Sequence, residues 1–353
     1  PDSVTSIGDS AFEYCDNLTS VAIPDSVTSI GSDAFCCCES LTSVTIGSGV
    51  TSIGDSAFRG CSSLTEIAVD TDNAAYSSLE GVLFNKDQTT LVQYPGGKSG
   101  AYTIPDSVTS IGEDAFRNCD SLTSVTIPDS VTSIGDSAFE YCDNLTSVAI
   151  PDSVTSIGSY AFYYCDSLSS VTIGIGVTSI GDSAFWTCNS LTEITVDVDN
   201  TAYSSLEGVL FNKDQTTLVQ YPGGKSGAYT IPDSVTSIGE DAFYGCESLT
   251  SVMISDSVTN IGDGAFAYCF NLTSVTIGNG VTSIGESAFQ MCVSLTSVTI
   301  GNGVTSIGEG AFIECDDLTD VYYRGTEEQW AAIEIGDRNG PLLNATIHYN
   351  YEG

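Results

Sequence analysis

Apolar and polar positions recur along this chain with a period of 23 residues. In Pro128 to Ile150, PDSVTSIGDSAFEYCDNLTSVAI, the apolar positions are Val131, Ile134, Ala138, Phe139, Cys142, Leu145, Val148 and Ile150. Eleven units repeat this pattern, beginning at Pro1, Pro24, Gly47, Pro105, Pro128, Pro151, Gly174, Pro232, Ser255, Gly278 and Gly301. A fixed period of 20 to 50 residues is the mark of a solenoid, in which each coil touches only its neighbours. Each buried side chain contributes roughly 1.5 to 3 kcal/mol, while ordering each residue's backbone costs about 1 to 2 kcal/mol. With about one residue in three apolar, a single unit cannot fold, and stacking is required.

Each unit reads as three pieces. Leu145 to Ile150 alternates in the manner of a strand and predicts a parallel sheet across coils. Val131 to Ile134 predicts a second, shorter strand after the Pro-Asp-Ser turn. Ala138, Phe139, Cys142 and Leu145 fall at i, i+1, i+4 and i+7, the spacing of a short helical turn with a polar start at Asp136 and Ser137.

Two longer coils interrupt the series, at residues 70–104 and 197–231, and residues 75–116 match 202–243 letter for letter. In each, a segment such as Gly81 to Tyr94 reads as a strand, a turn and a strand, expected to protrude as a hairpin. Its Lys86 and Lys98 are candidate contact points. Thirteen coils therefore fill residues 1–323, and 324–353 form a C-terminal cap, with Thr326-Glu-Glu-Gln329 as a capping box ahead of Trp330. The chain begins at Pro1 with no leader or capping segment, which leads us to expect a piece of a longer protein or a mature product.

The pattern Leu-x-x-Val-x-Ile-Pro-x-x-Val-x-x-Ile-Gly-x-x-Ala-Phe-x-x-Cys, seen from Leu18 to Cys38, resembles the BspA-like class of leucine-rich repeats. The segment Tyr76 to Asp87 resembles an element of the same family, and the likeness covers essentially residues 1–323. The resemblance implies a leucine-rich-repeat solenoid on a secreted or cell-surface protein. The implied role is adhesion to a protein ligand, such as a host extracellular-matrix or cell-surface protein. A structural spacer holding another domain away from the cell surface explains the regularity equally well. The Asn ladder familiar in leucine-rich repeats is absent.

The charge narrows the partners. Asp and Glu number 46 against 8 Lys and Arg, a net charge of −38. Phosphate backbones and anionic membrane surfaces demand basic patches, so nucleic acid and direct membrane binding are set aside. No cofactor, metal or catalytic residue is expected. The one histidine, His348, rules out most triads, and the acidic residues recur in rows such as Asp9, Asp55, Asp136 and Asp182 without forming the singular, differently placed pair that catalysis needs. Eleven of the thirteen cysteines occupy one inward position and are expected to pack as small reduced hydrophobes. Cys36 and Cys37 fall in outward positions, through drift or as reactive thiols.

The outward pair of the third segment varies most between units, and it supplies the candidate site. Tyr141, Tyr163, Tyr164, Trp186 and Tyr244 are expected to form a partner-binding patch on that edge, because Tyr and Trp are enriched at interaction hot spots.

Overall fold

The computed structural model describes residues 3–353. Pro1, where the first unit begins, and Asp2 of the acidic rows lie outside the described residues. The chain divides into two compact units, Pro1–Cys188 and Asn189–Gly353. Both are parallel β-solenoids of the same coil design.

All eight apolar positions of the coil 128–150 are buried, none more than 3% exposed. Two parallel ladders run along each unit. In the first unit the longer strands Ser147–Ile150 and Ser170–Ile173 pair residue for residue at the 23-residue offset. The short strands Ser110–Ile111, Ser133–Ile134, Ser156–Ile157 and Ser179–Ile180 form the second ladder. In the second unit Leu249–Ile254, Ser274–Ile277, Ser297–Ile300 and Asp320–Tyr323 form the corresponding longer ladder. Where coils meet at Gly158 the backbones are in contact. A Cβ there would lie 2.5 Å from the Asp136 nitrogen and from the Gly135 carbonyl carbon, so glycine is the only residue that fits.

The third segment departs from the short helix that its spacing suggested. Ser137, Phe139 and Tyr141 donate their N–H groups to Ser159, Ala161 and Tyr163 of the following coil, at 2.8, 2.7 and 2.9 Å. Glu140 and Cys142 instead donate within the coil, to Ser137 and Phe139. Ser137 and Tyr141 also stand at φ of 50° and 56°, which a right-handed helix excludes. The result is a ladder of tight turns that satisfies its donors alternately within and between coils. Inward spacing alone did not separate this from a helix.

The longer coils differ from expectation too. Tyr76–Leu79 and Val82–Asn85 pair antiparallel, Val82–Asn85 and Thr90–Gln93 pair antiparallel, and Thr90–Gln93 joins Ser110–Ile111 in parallel. The hairpin therefore does not protrude but extends the short-strand sheet, because the consecutive apolar residues Val82, Leu83 and Phe84 demand cover on both faces and are fully buried. The second copy repeats this with Tyr203–Leu206, Val209–Asn212 and Thr217–Gln220. Lys86 and Lys98 each bond to backbone within the longer coil. The Lys86 Nζ donates to the carbonyls of Thr71 and Asn73, and the Lys98 Nζ to that of Glu80 at 2.9 Å.

At the C-terminal end the capping box forms as read. The Thr326 hydroxyl accepts from the Gln329 nitrogen and the Gln329 Oε1 accepts from the Thr326 nitrogen, opening the helix Glu327–Trp330. Beyond it the chain adds rungs to both ladders. Glu334–Ile335 pairs with Ser306–Ile307, and Thr346–His348 with Asp320–Tyr323. The buried Asn339 side chain donates to the carbonyls of Gly308 and Gly336, both at 2.9 Å, and accepts from the Phe312 nitrogen at 3.0 Å.

Candidate functional site

The turn ladder sets the outward side chains in columns. The column containing Tyr141 also holds Tyr14, Cys37, Asn118, Tyr164 and Thr187, all at φ between 55° and 59°, with Gly60 at 68°. Glycine and asparagine tolerate this left-handed backbone best, and other side chains lose roughly 1 to 2 kcal/mol there. Aromatic rings in this column therefore run against local backbone preference.

Three successive coils of the first unit bring aromatic rings together. Tyr141 stacks on Tyr164 with centroids 5.1 Å apart and planes 15° from parallel. Tyr163 meets Tyr164 edge-on at 4.6 Å and Tyr141 at 5.9 Å. Trp186 lies 6.4 Å from Tyr163. Tyr160, absent from the residues picked out by sequence, completes the group: its ring meets Tyr163 edge-on at 5.7 Å and Trp186 at 6.3 Å, and it is 42% exposed. Tyr141, Tyr163, Tyr164 and Trp186 are half-buried. A signal for Tyr160 existed in the chain, since its column otherwise holds only Ser, Asp and Gly.

Tyr244 belongs to the second unit. There it packs against Tyr268 at 5.0 Å, and Tyr268 meets Phe270 edge-on at 6.0 Å. The sequence thus named four members of one cluster and one of another.

The acidic rows have a local use. Asp136 Oδ1 accepts the Ser159 N–H of the next coil at 2.7 Å, Asp9 Oδ1 that of Ser32 at 2.9 Å, and Asp263 Oδ1 that of Glu286 at 2.7 Å. They are caps joining coil to coil. Beside the aromatic cluster, burial raises the carboxyls of Asp120 and Asp143 above the usual range, and for Asp143 the charges of Asp120 and Asp166 add to the shift. Among the described residues no group of three or more His, Cys, Asp or Glu is placed to hold a metal, and no helix is long and apolar enough to cross a membrane. His348 Nε2 lies 2.7 Å from Asp320 Oδ1 and its ring stacks on Tyr322, within the C-terminal rungs.

The inward cysteines do more than fill space. Cys142 Sγ donates to the Phe116 carbonyl of the preceding coil at 3.1 Å, Cys165 to Phe139 and Cys188 to Phe162 at the same distance. In the second unit Cys269 bonds to Phe243 and Cys292 to Phe266. This row of thiols bridges successive coils, the task an Asn ladder performs elsewhere. Burial pushes the thiols up, Cys61, Cys188 and Cys269 to about 12. None of the described cysteines forms a disulfide. Cys36 departs from expectation, because its outward position is fully buried beside Arg59.

Comparison with known proteins agrees with this coil design. The model of the BspA type leucine rich repeat region matches residues 1–97, 98–213 and 225–331. A leucine rich cell surface protein from Faecalibacterium prausnitzii, solved as a crystal structure, is 35% identical over 94% of this chain and 86% of its own, with a TM-score of 0.59. The pneumococcal vaccine antigen PcpA shares the fold at 20% identity, over 99% of this chain and 87% of its own, with a TM-score of 0.61. No curated protein matches the sequence. With repeats matched over most of its length and a bacterial surface protein similar to nearly all of it, the chain belongs to the BspA-type leucine-rich repeat family.

Proposed function

We propose that this chain is a non-enzymatic binding module of a cell-surface or secreted protein, and that it engages a protein ligand through the cluster of Tyr141, Tyr160, Tyr163, Tyr164 and Trp186. The observation that carries this reading is the placement of five half-exposed rings, three of them, Tyr141, Tyr160 and Tyr164, at left-handed backbone positions, in mutual contact across neighbouring coils. Rigid aromatics present large contact area at small entropic cost. The surrounding negative charge favours a partner with a basic rim. Tyr244 with Tyr268 is a second, smaller contact point. The similar protein from Faecalibacterium prausnitzii is described as a cell surface protein, which supports the location.

The test is binding of the purified chain to an array of extracellular-matrix and cell-surface proteins. Replacing Tyr163, Tyr164 and Trp186 by Ser is expected to weaken capture at least tenfold, while Tyr244→Ser has a smaller effect. Equal capture by the triple variant contradicts the patch, and no capture by the parent chain favours a structural spacer.

A further inference from the structure

Cys36 and Cys37 take no part in the aromatic cluster, and they differ from every other thiol in the chain. Their sulfurs lie 2.9 Å apart across a trans peptide bond. Cys36 is fully buried and Cys37 half-buried. Arg59 Nη2, from the next coil, lies 3.3 Å from Cys36 Sγ and 3.2 Å from Asp33 Oδ1. The column neighbour of Cys37 in that coil is Gly60, where a Cβ would come within 3.1 Å of Cys37 Sγ. Glycine leaves the space over the sulfur open. The adjacent Cys38, by contrast, donates to the Phe12 carbonyl as part of the inward row.

We propose that Cys36 and Cys37 form a modification site for small organic disulfides, closing to a vicinal disulfide by exchange. Cys37, the accessible thiol, attacks as thiolate one sulfur of R–S–S–R, giving Cys37–S–S–R and expelling RS⁻, which takes up the proton Cys37 released. Cys36 then attacks the Cys37 sulfur. The second RS⁻ leaves and takes the Cys36 proton. Two protein thiols are oxidised to one disulfide, and one organic disulfide is reduced to two thiols.

The division of roles follows from the surroundings. Burial, and then the hydrogen bond with Cys37, pushes the Cys36 thiol up to about 12, so Cys36 keeps its proton until the mixed disulfide forms. The Arg59 guanidinium acts in the opposite sense and eases that proton's departure during the second step. Adjacent Cα atoms are about 3.8 Å apart, short of the roughly 4.4 Å lower bound of ordinary disulfides. The closed ring is strained and reopens readily in reducing thiol.

The test treats the folded chain with oxidised glutathione, blocks residual thiols with N-ethylmaleimide and weighs the peptide bearing residues 36–38. The expected product is a Cys36–Cys37 disulfide, lighter by two hydrogens and carrying no glutathione, which reduced glutathione reverses. Cys36→Ala, a side chain accommodated at the same column position by Ala267, should instead retain one glutathione on Cys37. Cys37→Ser should take up none on the peptide bearing residues 36–38, and the inward cysteines that are buried, all but the half-buried Cys15, should react only after unfolding. A stable glutathione on Cys37 of the parent chain, labelling of Cys36 in Cys37→Ser, or no modification of either the parent chain or Cys36→Ala overturns the proposal.

Discussion

Phe139 and Phe12 occupy the same place in the repeat but not in the structure, and the contrast gives a sharp test of stacking. Phe139 is fully buried between Phe116, at 4.7 Å and 12° from parallel, and Phe162, at 5.1 Å and 2°. Phe12 is 40% exposed and stacks only on Phe35, at 5.1 Å. Removing a fully buried phenyl leaves a cavity and costs about 3 to 5 kcal/mol. For Phe12 some three-fifths of the transfer energy is at stake, about 1 to 2 kcal/mol, and no closed cavity remains. Each coil depends on its neighbours, so the damage should also be local. Hydrogen exchange read by mass spectrometry should show Phe139→Ala speeding exchange in residues 105–173 while sparing 278–323. Phe12→Ala should act weakly and only near its own coil. Equal costs for the two substitutions, or uniform acceleration along the chain, would refute the reasoning.

Two further outcomes follow from the links between coils. Asp136→Ala removes the acceptor of the Ser159 N–H and should cost about 1 kcal/mol in urea unfolding, the usual worth of a capping side chain, whereas Asp136→Asn keeps an acceptor and should be nearly neutral. Alkaline pH should destabilise the chain. Cys188 and Cys269 ionise near 12 in the folded state, against an ordinary value of 9.0. Between those values the unfolded state binds fewer protons than the folded one. Stability is therefore complete below about pH 9 and falls as pH rises, by up to roughly 1.4 kcal/mol per pH unit for each such thiol. Unfolding midpoints measured from pH 8 to pH 11 check this, and a flat profile would contradict it.

The inward face of the coil was legible because hydrophobic burial is read residue by residue: Val131, Ile134, Phe139, Leu145 and Ile150 needed no partner to declare themselves. The capping box was legible for the same reason, since Thr326 and Gln329 are three residues apart. What escaped was whatever depends on the neighbouring coil. The turn ladder from Ser137 to Cys142 imitates a helix in its inward spacing, and only the bonds to Ser159, Ala161 and Tyr163 reveal the difference. The donation from Cys142 to Phe116 spans 26 residues, and the burial of Cys36 depends on Arg59 one coil later. For the aromatic cluster, variation between repeats pointed to Tyr141, Tyr163, Tyr164 and Trp186. Tyr160 lay outside the outward pair being compared, and its contacts with Tyr163 and Trp186 appear only in three dimensions.

The stacking of coils is tested most directly by spin-label distances along one backbone rail. Thr178, Thr155 and Thr132 each donate their N–H to the corresponding Thr of the coil before, at 2.8 to 2.9 Å, and Thr109 donates to Thr89 at 2.7 Å. With one nitroxide at residue 178 and the other at 155, 132, 109 or 89, the mean separation should lengthen by about 4.8 Å at each step, the spacing of paired strands. A separation that levels off or shortens as the second label moves away would show that the coils are not stacked in sequence order.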